Sequence, residues 1–346
     1  MGNVKRLCLL IAAICLLPLF GSCGGETDSA YAEEQLFAMD TYMLLRAGGE
    51  NAAGALAAAA EKINALEAEL NVRDAAGTGG AARLNAADGQ EVEIGAELFS
   101  LLQTAQAVSE QTGGAFDITT YPLTQLWGFG GEGTVPDEAA IAETLARVGY
   151  QKLRLDAERR TASLTDGAQI DLGAIAKGYA AESVREVFCE YGVESALINL
   201  GGNIFALGEK LDGNAWRIGI ADPGDTRETV GVLAVRDTAV VTSGSYQRYF
   251  MRGAMRYHHL LDPATGRPAD NGLESVTVVC ADATRADALS TALFVMGEEE
   301  AVRFWRETGD FEMILIREDK QILLTPALAD SFEITAGSAY RVKTVS

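Results

Sequence analysis

An aspartate and a threonine four positions apart, in Ala286-Asp287-Ala288-Leu289-Ser290-Thr291, are well suited to hold a hard cation. On a helix, residues four apart share a face, so this spacing places a carboxylate directly beside a hydroxyl. Mg²⁺ takes one or two such protein oxygens and fills its octahedron with water and substrate phosphate. An ordinary helix accounts for the same pair equally well, so the pair needs company. Asp171-Leu-Gly-Ala-Ile-Ala-Lys177-Gly178 supplies it, with a carboxylate at a strand end, a glycine entry and a helix carrying Lys177 in its first turns. Helix N–H groups and one ammonium make an anion site. The glycine spacing and Lys-Ser/Thr ending of nucleoside-triphosphate loops are absent.

Four further stretches combine small and polar residues, and each also has a purely structural reading. Thr112-Gly113-Gly114-Ala115-Phe116-Asp117 is a helix stop running into an apolar stretch. Asn199-Leu200-Gly201-Gly202-Asn203 joins two strands by a tight turn, and the structural reading is favoured there. Thr242-Ser243-Gly244 ends a strand in small hydroxyls. His258 and His259, the chain's two histidines, open a loop that continues to Asp262-Pro263-Ala264-Thr265-Gly266. They are the only side chains here whose ordinary pKa lies near neutrality. On a strand the two rings face opposite ways.

The elements that would position these residues form a mixed series. A strand is predicted over 37–45, a helix over 51–70 with Leu56, Ile63, Leu66 and Leu70 as its apolar stripe, and a Gly/Ala loop over 77–82. Helices follow over 94–111, 136–148 and 173–191, with a hairpin over 153–156 and 161–165. Short strands at 196–200, 204–207, 216–220, 230–235 and 239–242 are separated by glycine-bearing turns. A strand at 275–280, a helix from 284 stopped by Gly297, a further helix to 307, and strands at 312–316 and 322–324 complete the chain. Strands run in series rather than alternating strictly with helices, so the class is α+β.

At the N-terminus, Lys5 and Arg6 precede an apolar run from Leu7 to Phe20, too short to span a bilayer but suited to a signal-peptide core. Gly21-Ser22-Cys23 resembles a bacterial lipobox. The expectation is a signal peptide over 1–22, lipidation at Cys23, a flexible tether over 23–35, and a protein anchored by lipid at the extracytoplasmic face of a bacterial membrane. Removing residues 1–22 deletes Lys5 and Arg6 and no acid, so the formal charge moves from −21 to −23. A body this acidic repels nucleic acid, which is excluded as a partner. Cys189 and Cys280, which remain after Cys8, Cys15 and Cys23 are accounted for, have no metal-ligand spacing.

Taken together, these blocks resemble the ApbE family of FAD:protein FMN transferases over nearly the whole mature chain. Further matching blocks are Met39-Asp40-Thr41, Arg83-Leu84-Asn85, Pro122-Leu123, Leu126-Trp127-Gly128-Phe129, Ser245-Tyr246 and Arg248-Tyr249-Phe250. The resemblance implies one domain over 36–346, a mixed, mainly antiparallel sheet with packed helices. It implies Mg²⁺ held by Asp287, Thr291 and the backbone carbonyl of Ala174. It implies FAD contacts at Met39, Ala115, Phe116, Asp117, Asp171, Lys177, Leu261 and Ser290. Arg73 stands where many members place an aromatic residue against the flavin, and a guanidinium can also stack on a flat ring.

The implied reaction moves the FMN part of FAD to a Ser or Thr hydroxyl of an acceptor flavoprotein, such as a membrane redox subunit, and releases AMP. Asp287 serves it through the metal, and His259 acts as base or orients the acceptor. Alternatively, His259 only braces the Asp262-Pro263 turn, and Asp171 or metal-bound hydroxide takes the proton. With water as nucleophile the same site is an FAD pyrophosphatase, and without catalysis it is a flavin-binding lipoprotein. The Asp287/Thr291 pair speaks against an inert carrier.

Overall fold

The computed structural model describes residues 31–74, 76–335 and 339–345. The expected signal peptide and Cys23 lie outside the described residues. The chain opens with strands β1 (Tyr31–Ala38) and β2 (Thr41–Gly48), paired antiparallel from Tyr31↔Gly48 to Ala38↔Thr41. Two expectations are corrected here. Residues 31–35, expected in the tether, belong to an edge strand, and the single strand expected over 37–45 is a hairpin broken at Met39-Asp40. Both turn residues adopt left-handed backbone, at φ 49° and 58°. The turn lacks the glycine that would have announced it. It is held instead from a distance, by the Glu67 carboxylate accepting the Met39 N–H.

Helix α1 (Ala52–Leu70) buries Ala52, Ala55, Leu56, Ala59, Ile63, Leu66 and Leu70, the stripe expected from spacing. Helix α2 (Gly80–Ala86) begins inside the stretch expected to be a loop. Glu69 of α1 explains it. Its carboxylate accepts the Gly80 N–H at 3.1 Å, placing an anion on the orphan donors of a helix start. Next come β3 (Val92–Glu93), α3 (Ala96–Gln111), α4 (Tyr121–Trp127), α5 (Glu138–Leu145), β4 (Leu153–Asp156) and β5 (Thr161–Leu164), the last two forming the expected hairpin. Helix α6 (Ala176–Glu190) starts three residues later than expected. Residues 171–175 are taken up by a turn in which the Asp171 carboxylate accepts the Gly173 N–H at 2.9 Å.

Strands β6 (Ala196–Leu200), β7 (Asn203–Leu207), β8 (Trp216–Asp222), β9 (Asp225–Val235) and β10 (Thr238–Gly244) follow the expected order. Four short strands come next: β11 (Tyr249–Arg252), β12 (Met255–His258), β13 (Leu261–Asp262) and β14 (Arg267–Pro268). The chain ends with β15 (Leu273–Cys280), α7 (Ala283–Thr308), β16 (Glu312–Arg317), β17 (Gln321–Leu324), β18 (Phe332–Ile334) and β19 (Arg341–Thr344). Gly297 interrupts α7 with non-helical backbone, at the stop expected from sequence.

The main sheet has nine strands in the order β1-β2-β6-β7-β10-β15-β16-β17-β19, antiparallel except for the last pair. Its centre is covered on both faces. In β15 and β16, Val276, Val278, Met313 and Leu315 point into the core shared with the helices. Val279, Ile314 and Ile316 point into a second core beneath β8, β9 and β18. That division follows the two-residue period of a strand, and it explains why these strands are apolar almost throughout. The fold is a single α+β domain, as expected. No helix among the described residues is long and apolar enough to cross a membrane.

Candidate active site

The site grows from the contact between the start of α6 and the first turns of α7. Gly178 makes that contact possible, because a Cβ there would overlap the Ala283 carbonyl and come within 2.7 Å of the Asp287 Cβ. Only hydrogen fits. Asp287 is buried at 3% exposure, and its Oδ2 accepts the Gly178 N–H at 2.9 Å. That N–H belongs to the first turn of α6, so the carboxylate meets the positive end of the helix. The Lys177 Nζ lies 3.9 Å from the same oxygen and donates to the Gly173 carbonyl at 3.0 Å.

Asp287 and Thr291 share one helix, as their spacing predicted, and the fold adds two more hydroxyls. Ser290 Oγ donates to the Asp287 carbonyl at 2.8 Å. Ser243, at the end of β10, lies 2.8 Å from Ser290 Oγ and 3.2 Å from Thr291 Oγ1. Ser243 stood out in the sequence as part of a hydroxyl-bearing strand end and of a family-matching block, with no ligand role assigned to it. Strand pairing of β10 with β15, and packing of α7 on both, bring it here. The resulting donor set is all oxygen, which fits a hard divalent cation such as Mg²⁺ and not a soft one. Among the described residues, no three His, Cys, Asp or Glu side chains converge on one point. A cation here would take one carboxylate and complete its shell with hydroxyl, carbonyl, water and phosphate oxygens.

Around this centre a chain of bonds ties in the other expected residues. Asp171 Oδ2 lies 4.0 Å from Arg73 Nη2, and Arg73 Nη1 donates to Asp40 Oδ2 at 3.2 Å, beside Met39. Met39, Arg73, Asp171 and Lys177 therefore border one region, with Ala174 in the loop between Asp171 and Lys177. Ala115-Phe116-Asp117 approaches through the Asp171 N–H, which donates to the Ile118 carbonyl at 2.7 Å.

The side chains there turn inward. Phe116 is 1% exposed in the main core. Asp117 Oδ1 accepts both the N–H and the hydroxyl of Thr119, at 2.7 and 2.6 Å, and Thr119 Oγ1 in turn accepts the Gly149 N–H. Burial raises the Asp117 pKa, opposed by the Thr119 bonds. Leu261 packs with Leu123, Trp127 and Ile141 in a small separate core. The N–H groups of Ala115 and Phe116 are themselves bonded to Thr112, through its carbonyl and its hydroxyl.

The two histidines have separate jobs. His258 is buried edge-on to Phe294 of α7, with Nε2 2.9 Å from the Ala269 carbonyl. His259 turns the other way, with Nδ1 3.1 Å from the Arg248 carbonyl. A carbonyl only accepts, so Nδ1 carries the proton and Nε2 keeps its lone pair. Burial first, then the Arg248 and Lys177 charges, push the His259 pKa down to about 3. In the turn that follows, the Asp262 carboxylate accepts the Ala264 N–H and the Thr265 hydroxyl.

Fold and site together define a single-domain α+β protein with a buried carboxylate-hydroxyl cluster beside a helix start. The sequence model of the ApbE family matches residues 39–315. An FAD:protein FMN transferase of Treponema pallidum is 34% identical over 340 residues, covering 93% of this chain and 94% of that protein. One from Klebsiella pneumoniae is 40% identical over 244 residues, covering 70% and 75%. The crystal structure of the ApbE protein of Thermotoga maritima superposes with a TM-score of 0.81 at 33% identity, covering 87% of this chain and 99% of that one. The apo flavinyl transferase ApbE of Pseudomonas stutzeri gives 0.78 at 29%, covering 88% and 98%. The chain belongs to the ApbE family.

Proposed function

We propose that this protein is an FAD:protein FMN transferase that moves FMN from FAD to a Ser or Thr hydroxyl of an acceptor protein and releases AMP. The observation that carries this is the buried Asp287, joined by Ser243, Ser290 and Thr291 and set against the Lys177-bearing start of α6. The relatives named above support the same activity.

In this reading the α6 N–H groups and Lys177 bind the pyrophosphate of FAD, supplying positive potential only where an otherwise acidic protein needs it. Asp287 and Thr291, with the Ala174 carbonyl, would hold Mg²⁺, which when bound offsets pyrophosphate charge. Met39, the main chain of 115–117 and Leu261, Asp171 and Ser290 position the rest of FAD, with Arg73 against the flavin.

The acceptor hydroxyl attacks the FMN phosphorus. A new O–P bond forms, the bond to the AMP phosphate oxygen breaks, and its electron pair leaves with AMP. His259 Nε2 takes the hydroxyl proton. Its pKa of about 3 without substrate makes it a weak base, and the phosphate charges of bound FAD raise it by offsetting Lys177 and Arg248. Catalysis is then mostly positioning and charge neutralisation. The product would face the extracytoplasmic space, with the enzyme held to the membrane through lipid on Cys23.

The test is incubation with FAD, Mg²⁺ and a Thr-containing acceptor domain. A covalent FMN mass shift with stoichiometric AMP supports the transferase. AMP with free FMN only would make it a pyrophosphatase, and neither product would make it a flavin carrier. A mature N-terminus at an unlipidated residue beyond 23 would remove the anchor.

A further inference from the structure

The β11–β12 hairpin leads directly into His259, yet most of its side chains take no part in the reaction described. From Thr238 to Leu261 the chain contains Arg248, Arg252 and Arg256 and no Asp or Glu, in a protein of net charge −21. Glu274 pairs with Arg256 at 3.2 Å. Arg252 donates to the carbonyls of Met251, Glu132 and Gly133, which leaves its charge uncancelled by those bonds. The exposed Arg248 guanidinium has no hydrogen-bonded or ion-paired partner among the described residues.

The same hairpin leaves large apolar groups in water. Tyr249, Met251 and Met255 are 49%, 47% and 61% exposed. This is not a loosely attached segment. Phe250 and Tyr257 stack on each other at 5.3 Å and reach Phe129 and Trp127. Phe250 also fills the space beside Gly133, where a Cβ would come within 2.7 Å of the ring's Cε1. By strand register Tyr249, Met251 and Arg256 share one face of the hairpin, and Arg252 and Met255 extend the Phe250/Tyr257 face toward the turn. The hairpin thus presents apolar groups and cations on both sides of a pinned aromatic pair, the character of a recognition surface. Methionine adapts to varied apolar partners, and a free guanidinium pairs well with a carboxylate. On the β1–β2 hairpin, Phe37 and Tyr42 form a second exposed pair, 62% and 81% exposed, next to the turn that carries Met39.

We infer that the β11–β12 hairpin docks the acceptor polypeptide, and that it selects an acidic segment with apolar side chains around the hydroxyl that receives FMN. The inference rests on the transferase reading and specifies its partner. Continuity with the site favours this occupant, since the strand that carries the exposed surface runs straight into His259, whose ring is bonded to the Arg248 carbonyl.

Two short synthetic peptides test it, each with one Thr, one flanked by Leu and Asp and the other by Ser and Lys. Binding is read by fluorescence anisotropy to the full-length protein loaded with FAD and Mg²⁺. The Leu/Asp peptide should bind at least about tenfold more tightly, and the preference should weaken with added salt. Met251→Glu with Met255→Glu should abolish that preference while flavin fluorescence reports unchanged FAD affinity. Equal binding of the two peptides, binding of neither, or an unchanged preference in the double variant would overturn the docking surface. Failure of the parent protein to bind FAD would instead overturn the transferase reading.

Discussion

The α6–α7 junction and the β11–β12 hairpin both border the same site, but they are built in opposite ways. At the junction, helix backbones touch through Gly178, Asp287 is buried, and each hydroxyl is bonded to another. On the hairpin, main-chain pairing and one aromatic stack hold the strands while methionines and arginines face water. The contrast separates two demands on a transferase. Groups that act on phosphorus must be held within fractions of an ångström, so they sit where packing allows no alternative. Groups that meet a second protein gain from adaptable side chains, so they sit where few neighbours constrain them.

The sharpest way to break this contrast is Asp287→Asn. The amide oxygen can still accept the Gly178 N–H, so the fold should hold, while loss of the anionic metal ligand should slow transfer by about 10³-fold or more, worth several kcal/mol. Steady-state rates over a Mg²⁺ titration, with urea unfolding as control, decide it. An unchanged Mg²⁺ dependence would remove the metal from this position. His259→Gln comes next, with transfer slowed by roughly 10²–10⁴ and FAD affinity held. A parent rate with a parent pH profile would return the proton to Asp171 or to metal-bound hydroxide.

Gly178→Ala tests rigidity directly. Forcing a methyl between α6 and the Ala283 carbonyl should cost about 1–3 kcal/mol in urea unfolding and weaken Mg²⁺ dependence with it. Stability without change would mean that the helix contact is looser than its geometry implies.

A smaller effect is expected in acid. The folded pKa of His259 lies below its ordinary 6.5, as does that of buried His258, each chiefly because of burial. Between their folded and unfolded values the unfolded chain binds more protons, so stability should fall as pH drops below about 6.5. Thermal melts of His259→Gln should show a shallower fall from pH 6.5 to 4.5 than the parent. Arg73→Leu should be the mildest for folding, under about 1 kcal/mol, because its bridges to Asp40 and Asp171 are partly exposed. Flavin affinity should nonetheless drop, and an unchanged affinity would take Arg73 away from the ring.

Much of the chemistry was legible in the chain because it is local. Helical spacing alone put Asp287 and Thr291 on one face. Lys177 fell at a helix start as read, although the strand expected to end at Asp171 is only an isolated bridge at Gln169 and the helix begins at Ala176. Two-residue alternation separated His258 from His259. The α+β class followed from strands in series, and most strands of the second half fell where glycine turns and apolar runs placed them. What stayed hidden depends on partners far away in sequence. The Met39-Asp40 turn is held by Glu67, and the start of α2 by Glu69, so neither carries a turn or capping signal of its own. Ser243 joins the cluster only because β10 lies beneath α7. Phe116 and Leu261 pack into two different apolar cores and Asp117 bonds Thr119, arrangements their own short stretches do not announce. Local spacing determines which groups share a face, because helix and strand periods are properties of the backbone. Which faces meet, and whether a side chain reaches a ligand or the core, is decided by long-range packing that no single stretch of sequence contains.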